Sequence, residues 1–334
     1  MGLRILVTGA AGFIGYHLSQ SLLADGHTVY GLDALTSYYD PALKRTRLDL
    51  LQRQNGFDFG QIDLTDAAAL GVFVAEAEAE VVFHLAAQPG VRYSIENPQS
   101  YIQSNVVGTA NLLEALRQHL PKHLIFASTS SVYGGNTTMP YAETDRADSP
   151  LSLYAATKKS GEALVHSYSH LWSIPSTCVR FFTVYGPYGR PDMAILKFAH
   201  ALAAGEPIDV YGHGRMQRDF TYVSDLVAAM VAIMEKAPVM GRPVAGDSLS
   251  AVAPFRLLNL GGGRPVALME FIASIERAMG ANARLNVLPM QPGDVVATQA
   301  DTALLKALIG ELPTTPLDVG IGRFVAWFRE YYGT

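Results

Sequence analysis

The sequence predicts an α/β fold, a doubly wound parallel sheet followed by a smaller C-terminal α/β domain. Three observations predict it. Up to Phe182, short apolar runs alternate with helical patterns. The runs are β-branched or aromatic and nearly continuous, as strands buried on both faces of a parallel sheet must be. Beyond Phe182 the rhythm gives way to turns rich in Gly, Pro and Tyr and to fewer, less regular elements.

Taken in order, strands are expected at residues 4–7, 28–32, 57–62, 81–85, 123–127 and 177–182. Helical patterns fill the gaps at 13–24, 41–53, 67–77, 98–119 and 153–171. This alternation is what a doubly wound sheet requires. The second part opens with a turn-rich loop, 185–192. A helix follows at 194–204, then strands at 208–210 and 218–223 and a helix at 224–236. Residues 238–254, rich in Ala, Pro, Gly and Ser, read as an exposed loop. Helices at 267–279, 302–309 and 320–332 close the chain. The expected division is 1–182 for cofactor and catalysis and 183–334 for substrate, with some crossing back of the chain between them.

Composition narrows the function. Of 334 residues, 49% are apolar, enough for a large core. The net charge of −5 gives no basic footprint for nucleic acid. The single cysteine, Cys178, lies in an apolar run and reads as a small buried hydrophobe rather than a nucleophile. No apolar run reaches the ~20 residues of a membrane span. The chain enters a strand at Leu3 without a signal-peptide pattern, so a soluble, cytoplasmic protein with no membrane partner is expected.

Thr8-Gly9-Ala10-Ala11-Gly12-Phe13-Ile14-Gly15 joins the first strand to the first helix. Its glycines permit a tight turn and close backbone approach, and the helix N-terminus offers free N–H groups to a pyrophosphate. This is a Rossmann-type dinucleotide loop with Gly-x-x-Gly-x-x-Gly spacing. Asp33 ends the second strand, where an acid bonds the ribose hydroxyls and repels a 2′-phosphate, so NAD is expected over NADP. Asp63, beside Leu64, suits the adenine edge, and equally well a plain turn cap. Leu85-Ala86-Ala87 ends the fourth strand with small residues that leave room for the cofactor.

Tyr154-x-x-x-Lys158 puts a phenol and an ammonium one helical turn apart on the same face. The ammonium is expected to lower the phenol's pKa and to reach the cofactor ribose. A phenolate is a competent general base for an alcohol. Thr129, Ser130 and Ser131 follow the fifth strand at the edge where such sheets bind ligands; their hydroxyls either meet the substrate or cap a turn.

With Arg218-Asp219-Phe220, these motifs resemble the extended short-chain dehydrogenase/reductase family of nucleotide-sugar epimerases and dehydratases over the whole chain. The finer resemblance is to its UDP-glucuronate 4-epimerase branch. It is carried by Ser130-Ser131-Val132-Tyr133-Gly134, Ser152-Leu153-Tyr154-Ala155-Ala156-Thr157-Lys158-Lys159, Phe181-Phe182-Thr183-Val184-Tyr185-Gly186-Pro187, Gly189-Arg190-Pro191-Asp192-Met193 and Leu288-Pro289-Met290-Gln291-Pro292-Gly293-Asp294. The resemblance implies Thr129 as the catalytic hydroxyl, Tyr154 as the base and Lys158 as its partner. Asn105, Ser128 and Phe181 fall where the family lines the cofactor. Arg218 is placed for the diphosphate or uridine and Asp294 for the nucleotide ribose. Gln88, Lys197 and Val210 complete the expected substrate lining. Thr183 and Gln291 depart from the asparagine and arginine common in the wider family and agree with the uronate branch.

The implied substrate is a UDP-sugar, UDP-glucuronate or UDP-galacturonate, epimerised through a 4-keto intermediate. Thr183, Arg190, Ser130, Ser131 and, further off, Arg92 are candidates to hold its carboxylate. UDP-glucuronate decarboxylases and hexose 4,6-dehydratases also resemble the chain, but they carry acids just after the catalytic threonine. A non-catalytic NAD-binding scaffold is the alternative of a different class, and the intact Tyr154/Lys158 pair argues against it. The apolar stripes on helices 98–119 and 153–171 supply core and, in an expected homodimer, a contact face.

Overall fold

Seven parallel strands form the central sheet of the computed structural model, which describes residues 2–291, 293–311 and 314–334. In chain order the first elements are β1 (Arg4–Thr8), α1 (Phe13–Ala24), β2 (Thr28–Leu32), α2 (Ala42–Gln52), β3 (Phe57–Gly60), α3 (Ala67–Ala77) and β4 (Val81–His84). Then come α4 (Tyr93–Glu96), α5 (Pro98–Tyr101), a π-helical turn (Ile102–Val107), α6 (Gly108–Gln118) and β5 (His123–Thr129). A 3-10 turn (Ser130–Tyr133), α7 (Leu153–Trp172) and β6 (Ser176–Phe181) follow. The remainder is β7 (Thr183–Tyr185), α8 (Ala194–Ala204), β8 (Pro207–Val210), β9 (Gln217–Tyr222), α9 (Val223–Met234), β10 (Phe255–Leu260), β11 (Pro265–Ala267), α10 (Leu268–Met279), β12 (Arg284–Val287), α11 (Ala303–Ile309) and α12 (Leu317–Tyr332).

The sheet order is β10-β6-β5-β4-β1-β2-β3. The winding direction reverses between β1 and β4, and that crevice at the strand carboxyl ends is where open α/β sheets bind ligands. Alternate residues of each strand feed the two faces. Ile5 and Val7 pack with α1 and α9, among them Phe13, Leu226 and Met230. Leu6 packs on the other face with Leu70, Leu112 and Val165. Fully burying such a side chain is worth roughly 1.5–3 kcal/mol. A separate core joins α8, α10 and α12 through Leu196, Phe271, Phe324 and Phe328.

Three differences from the sequence reading have physical causes. The seventh strand, β10, was not expected. Arg256 and Asn259 interrupt its apolar run, yet both are buried and paired. Arg256 donates to Asp247 Oδ1 and Oδ2 at 2.7 and 2.8 Å. Asn259 donates to the Tyr141 carbonyl at 2.8 Å and accepts from the Tyr133 hydroxyl at 2.7 Å. The same Asp247 anchors the 238–254 segment, which is therefore only partly exposed. Second, the single helix expected at 98–119 contains the π-helical turn, which periodicity of 3.6 does not announce. Third, β3 stops at Gly60, short of the expected 62. Pro292, within one of the quoted strings, lies outside the described residues.

Candidate active site

The cleft floor begins where β1 ends. Gly9 has φ +74°, and a Cβ there would stand 2.8 Å from the Ala86 nitrogen. A Cβ on Gly15 would stand 2.1 Å from the Gly9 carbonyl oxygen. The loop thus packs against β4's end and its own helix too closely for side chains. No side chain caps α1 at Gly12, and Gly12, Phe13, Ile14 and Gly15 line the cleft, so the first-turn N–H groups suit a pyrophosphate. The residues present fit a dinucleotide. Thr8 and His84, not singled out from sequence, brace this floor. The Thr8 hydroxyl accepts from the Leu85 and Ala86 amides at 3.1 and 3.0 Å. It also bonds His84 Nδ1 at 2.8 Å, while His84 Nε2 bonds the Thr109 hydroxyl at 3.1 Å. Burial pushes the His84 imidazole down to about 3, so it stays neutral.

At the ribose end, Asp33 is buried and accepts from the Leu35 amide at 2.8 Å. Burial raises its pKa, and Lys44 is the strongest charge working the other way. The Lys44 ammonium lies 3.9 Å from Asp33 Oδ1 and donates to the Thr36 carbonyl and hydroxyl. Lys44 lines the cleft, and nothing local in the sequence marks it, because it meets Asp33 only through the turn into α2. Asp63 lines the cleft with Leu64, and its Oδ1 caps a turn by accepting from the Thr65 amide and hydroxyl at 2.9 and 2.7 Å.

At the chemical end, Ser152 starts α7, its hydroxyl accepting from the Ala155 amide at 3.2 Å. The first turns of α7 carry Tyr154 and Lys158, which line the cleft with Thr129, Ser128, Phe181, Leu85, Ala86, Ala87 and Gln88. Burial raises the Tyr154 phenol; the Arg190 guanidinium works against that rise, and the Asp192 carboxylate adds to it. The Lys158 ammonium lies 4.7 Å from the centre of the Phe126 ring, and burial lowers its own pKa to about 8.

Behind this row is a buried polar support that the sequence reading missed. Ser128 donates to Glu162 Oε1 at 2.7 Å, and Arg180 grips Glu162 with Nε and Nη2 at 2.8 and 2.9 Å. Glu162 is one turn beyond Lys158, a helical spacing that could have flagged it. Asn105 sits in the π-helical turn behind the lining rather than in it. Its Oδ1 accepts from the Gln88 amide at 2.8 Å, and its Nδ2 donates to the Gln88 carbonyl at 3.1 Å and the Thr157 hydroxyl at 3.0 Å. One side chain therefore ties the cleft wall to α7.

Arg190 also lines the cleft, held by Asp192 through Nε at 3.0 Å and Nη2 at 2.5 Å. The Tyr38 hydroxyl donates to the same Asp192 at 3.2 Å. Tyr101 stands edge-on to Tyr154 with ring centres 6.1 Å apart. The remaining expected substrate residues lie outside this lining. Ser130 and Ser131 are half-buried in the 3-10 turn, with Thr129 donating to the Ser131 hydroxyl at 3.3 Å. Thr183 starts β7, Lys197 is exposed on α8, and Val210 is buried at the end of β8. Arg218 donates to the Gln217 and Val296 carbonyls. Arg92 meets Asp294 at 3.2 Å and stacks over the Tyr211 ring at 4.6 Å.

Comparison with known proteins gives concordant matches. A profile described as "NAD dependent epimerase/dehydratase family" matches residues 5–244. The probable UDP-glucuronate 4-epimerase of Rhizobium meliloti (strain 1021) is 52% identical over 334 residues, covering 99% of this chain and 98% of its own. UDP-glucuronate 4-epimerase 1 of Arabidopsis thaliana is 43% identical over 338 residues, covering 99% of this chain and 78% of its own. Among solved structures, the UDP-glucuronic acid 4-epimerase of Bacillus cereus, in complex with UDP-glucuronic acid and NAD, superposes with a TM-score of 0.87 at 34% identity. That match covers 98% of this chain and 99% of the other.

Proposed function

The chain belongs to the NAD dependent epimerase/dehydratase family, and within it we propose that it interconverts UDP-glucuronate and UDP-galacturonate through a 4-keto intermediate. The observation that carries this reading is one cleft holding the glycine loop, Thr129, Tyr154, Lys158 and Arg190 together. NAD, when bound, takes hydride from the sugar's C4 and gives it back, so it is retained rather than consumed. Gly9, Gly12 and Gly15 would hold its pyrophosphate and Asp33 its adenosine ribose.

Tyr154 removes the proton from the sugar O4 and later returns it. Arg190 favours the phenolate by its charge, and Thr129 favours it by hydrogen bonding. Lys158, buried beside the cofactor site, binds the nicotinamide ribose. Between the two proton transfers the keto sugar presents its opposite face. The 4-keto uronate is a β-keto acid, which loses CO2 when the C5–C6 bond aligns with the ketone π system. Arg190, Thr183, Ser130 and Ser131 hold the carboxylate out of that alignment in this reading. Ser130 and Ser131 in place of acids leave no group to drive elimination across C5–C6. At the far end, Arg218 and Asp294 bind the diphosphate and ribose, and Asp294 exchanges its Arg92 partner for the nucleotide.

We further place the enzyme in the cytoplasm and in a homodimer. No helix among the described residues is long and apolar enough to cross a membrane. Ile102 and Val107, exposed in the π-helical turn, support a contact through the α5–α7 face, which light scattering tests. The activity test is incubation with UDP-glucuronate and NMR of the sugar. UDP-galacturonate is expected. A mainly UDP-pentose product, or no reaction, overturns the reading.

A further inference from the structure

Among the largest fully buried side chains of the described residues is Arg47 in α2, which neither the glycine loop nor the proton-transfer groups include. A guanidinium carries five N–H donors and stays charged in proteins. All five are used here. Nε donates to the Tyr188 carbonyl at 3.1 Å. Nη1 donates to the Ala11 carbonyl at 3.0 Å and the Tyr39 hydroxyl at 2.9 Å. Nη2 donates to the Tyr188 and Gly189 carbonyls at 2.7 and 3.1 Å. None of these acceptors is a carboxylate, so the buried charge is held by backbone carbonyl dipoles and one tyrosine hydroxyl. Such a charge is costly unless the geometry is well satisfied.

The acceptors come from three segments that chain order keeps apart. Ala11 lies in the glycine loop, Tyr39 in the turn into α2, and Tyr188 and Gly189 in the loop that carries Arg190. Tyr188 has φ +55°, the left-handed region that non-glycine residues rarely occupy. Two Arg47 donors on its carbonyl help hold it there. Its ring is pinned as well, with centres 5.0 Å from Tyr16 and 5.1 Å from Trp327. Two residues on is Arg190. A planar fork that grips the glycine loop on one side and the Tyr188 carbonyl on the other cannot let one shift without the other.

We propose that Arg47 is a positioning residue that locks the glycine loop to the Arg190 loop, so that cofactor occupancy and the placement of Arg190 are set together. A pyrophosphate on Gly12–Gly15 brings negative charge to the loop Arg47 grips, which favours the gripped arrangement. Displacing Arg190 removes the charge that favours the Tyr154 phenolate and loosens its hold on the sugar carboxylate. This last consequence rests on the role given to Arg190 above.

The test uses Arg47→Lys, which keeps the charge and loses the fork, and Arg47→Met, which keeps the stem. The retained NAD in the purified protein should fall, with the dissociation constant rising about tenfold, as expected for lost charged hydrogen bonds. With NAD saturating, CO2 released per epimerisation should rise in both variants. Unchanged NAD affinity and an unchanged CO2 ratio, with only a lower melting temperature, overturn the proposal and leave Arg47 structural. If neither variant folds, hydrogen exchange of the wild type decides. Amides of residues 187–190 should slow on adding NAD without any sugar, and unchanged exchange there overturns the coupling. A wild type that makes no epimer defeats the proposed function instead, and the NAD and exchange measurements still decide Arg47.

Discussion

The two ends of the cleft are built in opposite ways. The cofactor end rests on the carboxyl ends of adjacent parallel strands, and its polar groups are buried and multiply bonded. Thr8, His84 and Thr109 form one chain of hydrogen bonds beneath it, and Ser128, Glu162 and Arg180 form another. The proposed nucleotide end, outside that cleft lining, draws on β8, β9 and the segment around Asp294. Its charged groups meet one or two partners each, as Arg92 does with Asp294, and the Arg92 side chain is 43% exposed. In the proposed function the first end is preorganised for transition-state chemistry, where small displacements are expensive. The other is free to rearrange around a ligand.

Substitutions at the two ends should therefore differ in size and kind. Tyr154→Phe removes the proton acceptor but keeps the ring against Tyr101, so turnover should fall ~10²–10⁴-fold with NAD still bound. Residual activity above a few per cent in a steady-state assay would mean another base. Cofactor choice comes next. If Asp33 meets the adenosine ribose as proposed, its carboxylate opposes a 2′-phosphate; like charges so juxtaposed cost several kcal/mol, giving about 100-fold weaker binding of NADP than of NAD. Comparable dissociation constants by titration calorimetry would defeat this assignment, and with it the view that Lys44 only partly offsets Asp33.

Arg190→Ala and Thr183→Ala should lower epimerisation and raise CO2 per epimerisation event about tenfold, the scale of a lost hydrogen bond to a charged group. Loss of activity with no change in that ratio would remove the carboxylate-holding role and leave the epimerase reading standing. The smallest effect belongs to Arg92→Ala. An exposed ion pair contributes ~0–1 kcal/mol, so KM for the nucleotide sugar should change no more than about fivefold, with kcat unaltered. A large fall in kcat would show that the two ends are not as separate as their bonding suggests.

The same contrast explains what the sequence disclosed. The glycine loop, Asp33, Tyr154, Lys158 and Thr129 were legible as residues of one cleft because each sits at a strand end or on a helix face that local pattern reveals. Lys44, the Glu162–Arg180 pair and the Asn105 bracket on Gln88 were not read as they stand, because their partners are brought close only by tertiary packing. β10 was missed for a related reason, since Arg256 and Asn259 look like surface residues until Asp247 and Tyr133 are beside them. Arg190 was found as a candidate for the carboxylate. That its guanidinium and the Asp192 carboxylate act on Tyr154 in opposite directions needed the fold.

The place of β10 also bears on how the protein is made. The sheet that carries the cofactor floor ends in a strand encoded after β7, β8 and β9, so β6 emerges from the ribosome with one edge unpaired. At ~5–20 residues per second, the roughly seventy residues between Phe181 and Phe255 leave that edge bare for about 4–15 s. Throughout that interval the nascent chain displays an apolar template open to pairing with other strands. A synonymous-codon pause just before β10 would lengthen the exposure, and chaperone capture of nascent chains should peak in the same window.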